Sequence, residues 1–178
     1  MPNLAVDKVE AYVFRRAARG AEFLALRRAP GRNLPGVWQP VTGKIELLET
    51  PAEAALREVR EETGLLPIRF WRLEQTSIFL DARGRDIIAL PLFAAEVPAG
   101  SAVELSKEHD ASQFTSAAKA ARLYLWDSQR MGLAAVTRQI LPGGPLAAAL
   151  ELPIRGRGRS RRPSSRGRKP ASAPGSRR

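Results

Sequence analysis

Three glutamates stand at spacings that could serve phosphate chemistry. Glu58, Glu61 and Glu62 follow one another at i, i+3 and i+4 within residues 43–65, a stretch of 23 residues that holds six glutamates. On a helix these spacings place the carboxylates side by side, where like charges repel. Such a face is either solvated, as most charged helix faces are, or neutralised by a cation. Hard divalent ions such as Mg²⁺ bind carboxylate and phosphate oxygens, so both interpretations stay open on spacing alone.

A helix is predicted to carry these glutamates. Thr50, with Pro51 after it and Glu53 three residues on, has the pattern of a capping box with proline at the first helical position. Gly64 is a typical helix stop. Between these ends an apolar stripe recurs every three or four residues, formed by Ala52, Ala55, Leu56 and Val59. We expect this stripe to pack on a sheet while the opposite face carries the acids.

The spacing of the whole stretch resembles the Nudix box. Gly43 is followed after five residues by Glu49, and after seven more by Arg57-Glu58-Val59-Arg60-Glu61-Glu62-Thr63-Gly64-Leu65. Every fixed position of the family signature is matched, with Val59 and Leu65 at the two aliphatic places. The resemblance implies an α/β protein, a Nudix-type α/β/α sandwich built on a mixed β-sheet.

By position, the resemblance also implies roles for the residues of the box. The metal ligands it implies, for Mg²⁺ or Mn²⁺, are Glu58, Glu61 and Glu62. Of these, Glu61 and Glu62 also count as catalytic, together with a supporting ion pair between Glu49 and Arg57. Gly43 belongs to the loop that holds the diphosphate of the substrate.

A β-hairpin is predicted before the box, because residues 8–15 and 22–28 alternate apolar and polar side chains around Gly20. Arg27 and Arg28 close its second strand. Their planar guanidinium groups suit bidentate contact with phosphate oxygens, so we count them as candidate substrate ligands. An exposed strand end explains them equally well.

Trp38 and Gln39 lead into the box. An aromatic ring beside an amide suits stacking on, and hydrogen bonding to, a heterocyclic base, whereas a tryptophan entering a sheet is otherwise a core residue. The stretch W-Q-P-V-T-G resembles the branch of (deoxy)nucleoside and dihydroneopterin triphosphate pyrophosphatases, and other branches usually carry Gly-Gly where this chain has Thr42-Gly43. Many family members also have glycine where Leu48 stands.

The second half of the chain predicts further strands and helices. Residues 68–80 and 87–97 have strand patterns on either side of a tight turn, and Pro91 predicts an edge or a bulge in the second of them. Residues 116–125 and 128–140 predict two helices that cover the sheet. Strands before and after the box helix favour a mixed sheet with helices on its faces.

An acidic loop is predicted between these strands and helices, in residues 99–115. Nudix enzymes often need one further acid from a loop that is distant in sequence, as metal ligand or general base, and Glu108-His109 resembles the triphosphatase branch at this point. Glu108 is the predicted further acid, and Glu104 is the alternative. Either residue could equally be an ordinary acidic side chain on an exposed loop. His109 is the one histidine of the chain and cysteine is absent, so a zinc cluster is excluded and an oxygen-ligated metal remains.

Charge divides the chain into two parts. Residues 153–178 of the 178-residue chain hold ten of its 29 basic residues and none of its 18 acidic residues. The net charge of the whole chain is +11, so the remaining residues have a net charge of about +1. We predict a hydrolase domain over 1–150 and a disordered tail rich in Arg, Gly, Ser and Pro over 151–178. Such a tail binds a nucleic acid weakly through its phosphates, or is only solubilising. The amino terminus has no secretory pattern, and no segment reaches the ~18 apolar residues of a membrane span, so we expect a cytoplasmic protein.

The predicted function is that of a Mg²⁺-dependent pyrophosphohydrolase. The family reaction splits a nucleoside diphosphate linked to another group, and the triphosphatase branch implies an NTP, a dNTP or dihydroneopterin triphosphate cut to monophosphate and pyrophosphate. Two alternatives stay open. One is a hydrolase of dinucleoside polyphosphates or of RNA 5′ ends, and the other is a protein that binds a nucleotide or RNA without cleaving it.

Overall fold

The computed structural model of the chain describes residues 3–18 and 20–154. Its strands, in chain order, are β1 (Leu4–Ala5), β2 (Lys8–Ala17), β3 (Gly20–Arg28), β4 (Trp38–Gln39), β5 (Val41–Lys44), β6 (Arg69–Leu80), β7 (Ile87–Val97) and β8 (His109–Ser116). Its helices are α1 (Pro51–Thr63), α2 (Ala117–Leu123), α3 (Asp127–Gln139) and α4 (Gly144–Leu150). Most of the predicted basic tail lies outside the described residues, and none of the described helices is long and apolar enough to cross a membrane.

One mixed sheet holds the strands together in the order β1-β7-β2-β3-β4. β5 also pairs with β2, β6 with β7, and β8 with β3. β7 runs parallel to β1 and β2, whereas the other pairs are antiparallel. β2 and β3 form the predicted hairpin, in which Phe14 pairs with Phe23, so that prediction is confirmed.

Helices cover both faces of this sheet. Val9, Ala11 and Val13 of β2 pack with α1, which contributes buried Ala54, Ala55 and Val59. The intervening side chains of β2 point to the other face, where Tyr12 and Phe14 pack with α2 and α3. Burying each large apolar side chain contributes about 1.5–3 kcal/mol, so two such layers stabilise a long central strand. The predicted α/β/α sandwich is confirmed.

Pro91 lies in the middle of the sheet, not at its edge. β7 pairs with β6 on one side, and on the other side with β1 through Ile87 and Ile88 and with β2 from Leu92 onward. Pro91 falls in the gap between those two partners, so its missing N–H breaks no bond on that side. Opposite it, the register with β6 shifts between Arg72 and Thr76. The edge prediction is wrong, and the irregularity lies in β6, opposite Pro91, rather than in β7 where a bulge was predicted.

Two elements lack a pattern that predicts them. β8 lies where an irregular segment is predicted, and its polar sequence forms a strand because β3 pairs with it over its whole length. α4 lies beyond Leu141, where no element is predicted; it begins at Gly144, with Gly143 before it and a proline in its first turn. Its contribution to the core is Ala147 and Leu150, which are 3% and 2% exposed.

Candidate active site

Caps at both ends fix α1. The Thr50 hydroxyl accepts a hydrogen bond from the Glu53 N–H at 3.3 Å, and the Glu53 carboxylate accepts one from the Thr50 N–H at 3.1 Å. At the other end Gly64 adopts φ +67, and its N–H donates to the backbone oxygen of Arg60. The predicted capping box and the glycine stop are confirmed. The acidic residues of the box therefore stand on a helix whose rotation and length are set locally.

Arg57 is the centre of an ion-pair network that joins α1 to the loop before it. Its Nε and Nη2 each donate to one carboxylate oxygen of Glu49, at 2.9 Å and 2.9 Å. Nη2 also donates to the backbone oxygen of Lys44 at 2.7 Å. Nη1 donates to Glu58 at 2.8 Å and to Glu61 at 3.1 Å. The hydrogen bonds from Arg57 lower the pKa of the Glu49 carboxyl, and this bidentate pair holds the loop against the helix.

Glu58 lies directly against Gly43 of β5. A Cβ built on Gly43 would stand 1.8 Å from Cδ of Glu58, so only glycine leaves room for the carboxylate there. Burial raises the pKa of Glu58, against the opposing effect of its bond with Arg57. Gly43, predicted as a substrate contact, thus also shapes the position of a predicted metal ligand.

Glu62 is buried, which corrects the prediction that all three glutamates lie on the face opposite the apolar stripe. It is 4% exposed, because it stands three residues after Val59 and so belongs to the stripe that packs on the sheet. Its Oε2 has no hydrogen-bond partner among the described residues. Burial, and then the charges of Glu58 and Glu108, raise the pKa of Glu62 to about 9, although Arg28 opposes them.

The donor set fits a hard divalent cation such as Mg²⁺ or Mn²⁺. Glu61 points outward and is 54% exposed, and in the described part of the chain no three acidic or histidine side chains already converge on one point. The fit rests instead on the buried, unpaired oxygen of Glu62 and on the negative charges that Glu58 and Glu108 add to its surroundings. A cation relieves that repulsion, and carboxylate oxygens are the ligands it takes.

Glu108, and not Glu104, is near this cluster. Glu108 belongs to the loop before β8, its carbonyl accepts from the Ala29 N–H at 2.9 Å, and its carboxylate lies 3.4 Å from Arg32. Its charge contributes to the raised pKa values of Glu58 and Glu62. Glu104 instead packs beside the helix end at Gly64. This placement favours Glu108 as the distal acid.

His109 begins β8 and is buried, at 5% exposed. Neither ring nitrogen has a hydrogen-bond partner among the described residues. Burial lowers the pKa of His109, and Arg28 and Arg32 lower it further while Glu108 opposes them. The imidazole therefore belongs to the same charged neighbourhood as the predicted distal acid.

Arg27 and Trp38 lie side by side on β3 and β4. The two residues pair across the strands, and the guanidinium carbon is 5.8 Å from the ring centroid, within cation–π range. Arg27 also donates to Asp110 at 2.7 Å. Trp38 is partly buried against the core on the α2 and α3 side. Trp38 is thus partly a core residue, as the interpretation of a tryptophan entering a sheet expects, and the remaining surface of its ring lies beside Arg27.

Arg28, Gln39 and Thr42 form a chain of hydrogen bonds. Arg28 Nη1 donates to Gln39 Oε1 at 3.2 Å, and Gln39 Nε2 donates to Thr42 Oγ1 at 3.0 Å. The Thr42 backbone N–H lowers the pKa of Glu62, which connects this chain to the carboxylate cluster. Thr42 was not predicted as a functional residue, and its place beside glycine in the box entry is the one signal that could have found it.

The family model described as NUDIX domain matches residues 7–135. The chain belongs to the Nudix family. Among curated proteins, an octanoyltransferase of Myxococcus xanthus is 38% identical over 95 residues, which make up 53% of this Nudix chain and 26% of that protein. The chain therefore spans about a quarter of the length of this relative.

Solved structures share the Nudix fold over most of their length. The Escherichia coli dihydroneopterin triphosphate pyrophosphohydrolase is 27% identical, with a TM-score of 0.58 over 75% of this chain and 99% of that one. A C. elegans Ap4A hydrolase binary complex is 22% identical, with a TM-score of 0.64 over 75% and 96%. The Shewanella oneidensis NrtR NUDIX domain with ADP ribose is 16% identical, with a TM-score of 0.62 over 77% and 87%.

The chain shares its family with solved hydrolases, the dihydroneopterin triphosphate enzyme among them. Nudix hydrolases generally act with divalent metal ions, which agrees with the oxygen donors around Glu62. The two structural likenesses below 25% identity show the fold alone.

Proposed function

We propose that this Nudix hydrolase cleaves a nucleoside triphosphate or a similar triphosphate, such as an NTP, a dNTP or dihydroneopterin triphosphate, to monophosphate and pyrophosphate with Mg²⁺ or Mn²⁺. The observation that carries the proposal is the buried, unpaired oxygen of Glu62 within a complete Nudix box. The choice of a triphosphate is supported by the Trp38-to-Gly43 entry and by the likeness to the dihydroneopterin triphosphate enzyme.

The acidic residues have distinct parts in the proposed reaction. Glu58, Glu61, Glu62 and Glu108 would hold the cation, which when bound screens the phosphate charge and makes water more acidic. Glu108 accepts a proton from the water that attacks phosphorus. The bond between that phosphorus and the bridging oxygen breaks, and pyrophosphate leaves. Arg57, fixed by Glu49, keeps the loop before α1 in place.

The basic residues and the ring act on binding. Arg27 and Arg28 neutralise phosphate oxygens at the end of β3, and Trp38 offers the exposed part of its ring to the heterocyclic group. The substrate is a small nucleotide-type molecule. Cytoplasmic location, and weak nucleic-acid contact through the basic residues after 154, stay predictions.

A substrate screen with the full chain tests this proposal. The panel contains dNTPs, NTPs, dihydroneopterin triphosphate, Ap4A, ADP-ribose and 5′-triphosphate RNA, each with Mg²⁺, with Mn²⁺ and with EDTA. We expect a triphosphate to give the highest kcat/KM, with monophosphate and pyrophosphate in equal amounts and no turnover in EDTA. A tenfold preference for Ap4A, ADP-ribose or RNA would contradict the proposed substrate class, and turnover that persists in EDTA would contradict the metal requirement.

A further inference from the structure

Gln39 is a buried amide that is occupied at both ends. It is 7% exposed, its Oε1 accepts from Arg28 Nη1 at 3.2 Å and its Nε2 donates to Thr42 Oγ1 at 3.0 Å. Thr42 in turn donates its hydroxyl to the Pro40 carbonyl at 3.3 Å. One lone pair of Oε1 and one N–H of Nε2 remain unused, but because the side chain is buried a base has little access to them.

Arg28 is held by Gln39 from one side and by the loop after β3 from the other. Its Nε donates to the backbone oxygen of Asn33, which leaves its remaining N–H groups without a partner among the described residues. The guanidinium stands close enough to Glu62 and His109 to act on both electrostatically. A fixed guanidinium with unpaired donors beside a carboxylate cluster suits a phosphate oxygen.

We propose that Gln39 is a positioning residue, which holds the Arg28 guanidinium at the carboxylate cluster so that Arg28 binds a phosphate of the substrate. Gln39 itself does not contact the base. The proposal rests on the proposed function and replaces the interpretation of Gln39 as a base reader. Losing a hydrogen bond to a charged group weakens binding by about tenfold to a hundredfold, which sets the scale expected for Arg28.

Two substitutions separate the charge of Arg28 from the shape of the site. Gln39→Met removes both amide bonds, so Arg28 is held only by its bond to the Asn33 backbone oxygen. Gln39→Glu keeps the shape of the side chain, and its carboxylate accepts hydrogen bonds from both Arg28 and the Thr42 hydroxyl. Its negative charge, however, neutralises the positive charge of the Arg28 guanidinium. Gln139→Met is the matched control, because Gln139 is also a buried amide, 3% exposed and bonded to Gln75 at 2.9 Å, on the far element α3.

The experiment measures KM and kcat for the best triphosphate, and the calorimetric Kd for inorganic tripolyphosphate with Mg²⁺, which has no base. We expect both Gln39 variants to raise KM and this Kd together by about tenfold, with kcat within threefold of wild type. Arg28→Met should do the same, and Arg28→Met combined with Gln39→Met should be no worse than Arg28→Met alone. Gln139→Met should leave all three values unchanged.

The outcomes distinguish this inference from the proposed function. If KM rises in Gln39→Met while the tripolyphosphate Kd does not, Gln39 reads the base and the inference is overturned. Unchanged binding in Gln39→Glu, or additive effects of the two substitutions, would also overturn it while the hydrolase activity stands. A wild-type protein that neither hydrolyses triphosphates nor binds tripolyphosphate would overturn both.

Discussion

Glu10 is a buried acid whose replacement by glutamine should stabilise the protein at alkaline pH. It lies on β2 and is 3% exposed. Its two oxygens accept from the Tyr12 hydroxyl and from Gln129 Nε2. The Tyr12 hydroxyl is also 3.0 Å from the Gln129 carbonyl. In Glu10→Gln the new amide can donate to Tyr12, which then donates to that carbonyl, so every member of the network keeps a partner.

The size of the effect follows from the pKa of Glu10. Burial raises this pKa from 4.5 to about 7, although the bonds from Tyr12 and Gln129 oppose the change. The folded state holds the proton of Glu10 more tightly than the unfolded state does. The stability that protonated Glu10 contributes is therefore fully present below pH 4.5 and is lost as the pH rises through about 7. Each pKa unit is worth 1.36 kcal/mol, so Glu10 costs about 3 kcal/mol of unfolding free energy at pH 8. Glutamine does not ionise and avoids that cost.

Urea unfolding of wild type and Glu10→Gln at pH 5 and pH 8, both in EDTA, measures the effect. Comparing the two proteins cancels groups that titrate in both, Glu62 among them. The stability gained by the substitution should grow by about 2.5 kcal/mol between the two pH values, with Glu74→Gln as an exposed control that gains nothing. A gain that is equal at both pH values would refute the raised pKa, and with it the account of Glu10 as an acid that is protonated in the fold at pH 5.

Three further predictions concern the distal acid, the box loop and the tail. Glu108→Gln should lower kcat at least tenfold and largely spare KM, whereas a large loss in Glu104→Gln alone would show that the wrong acid was chosen. Leu48 has φ +68 and is 97% exposed, so Leu48→Asn should raise the unfolding free energy by about 0.5–1 kcal/mol in urea, while Leu47→Asn, equally exposed, should not. Removing all residues after Ile154 should leave small-nucleotide turnover unchanged, and lost turnover would place the domain boundary elsewhere. If those residues bind nucleic acid, the full chain should retain RNA with an affinity that falls steeply as the salt concentration rises, and the truncated chain should not.

Local chemistry explains why α1 was predictable to the residue. Thr50 and Glu53 cap each other, and Gly64 takes the left-handed conformation that ends the helix, so both ends depend only on neighbouring residues. The ion pair of Glu49 and Arg57 was likewise implied by position in the box.

Burial of Glu62 was accessible to the same reasoning but was missed. Its spacing from Val59 places it on the packed stripe, whereas its charge suggested the opposite face. The spacing was the better guide, because a helix orients its side chains by position and a carboxylate can stay buried where protonation or a cation neutralises it.

Contacts between segments that are distant in the chain could not be predicted from the sequence. β8 has no alternating pattern and exists because β3 pairs with it, and α4 is a helix of only 7 residues that is held by the core through Ala147 and Leu150. The occupied amide of Gln39 depends on how β3 and β5 meet around Pro40. The network of Glu10 joins β2 to α3 across 119 positions. Tertiary context decides such features, and no local pattern encodes them.

The central claim is that the carboxylates of α1 act with a divalent cation in hydrolysis, and kcat of Glu61→Gln and Glu62→Gln tests it most directly. Glutamine keeps the size of each side chain and removes its charge, and the thermal midpoint reports whether each variant is folded. With saturating Mg²⁺ and the best substrate, we expect kcat to fall at least a hundredfold in both variants and to be unchanged in the exposed control Glu74→Gln. A folded Glu62→Gln with kcat within threefold of wild type, less than ~1 kcal/mol of barrier, would contradict the claim.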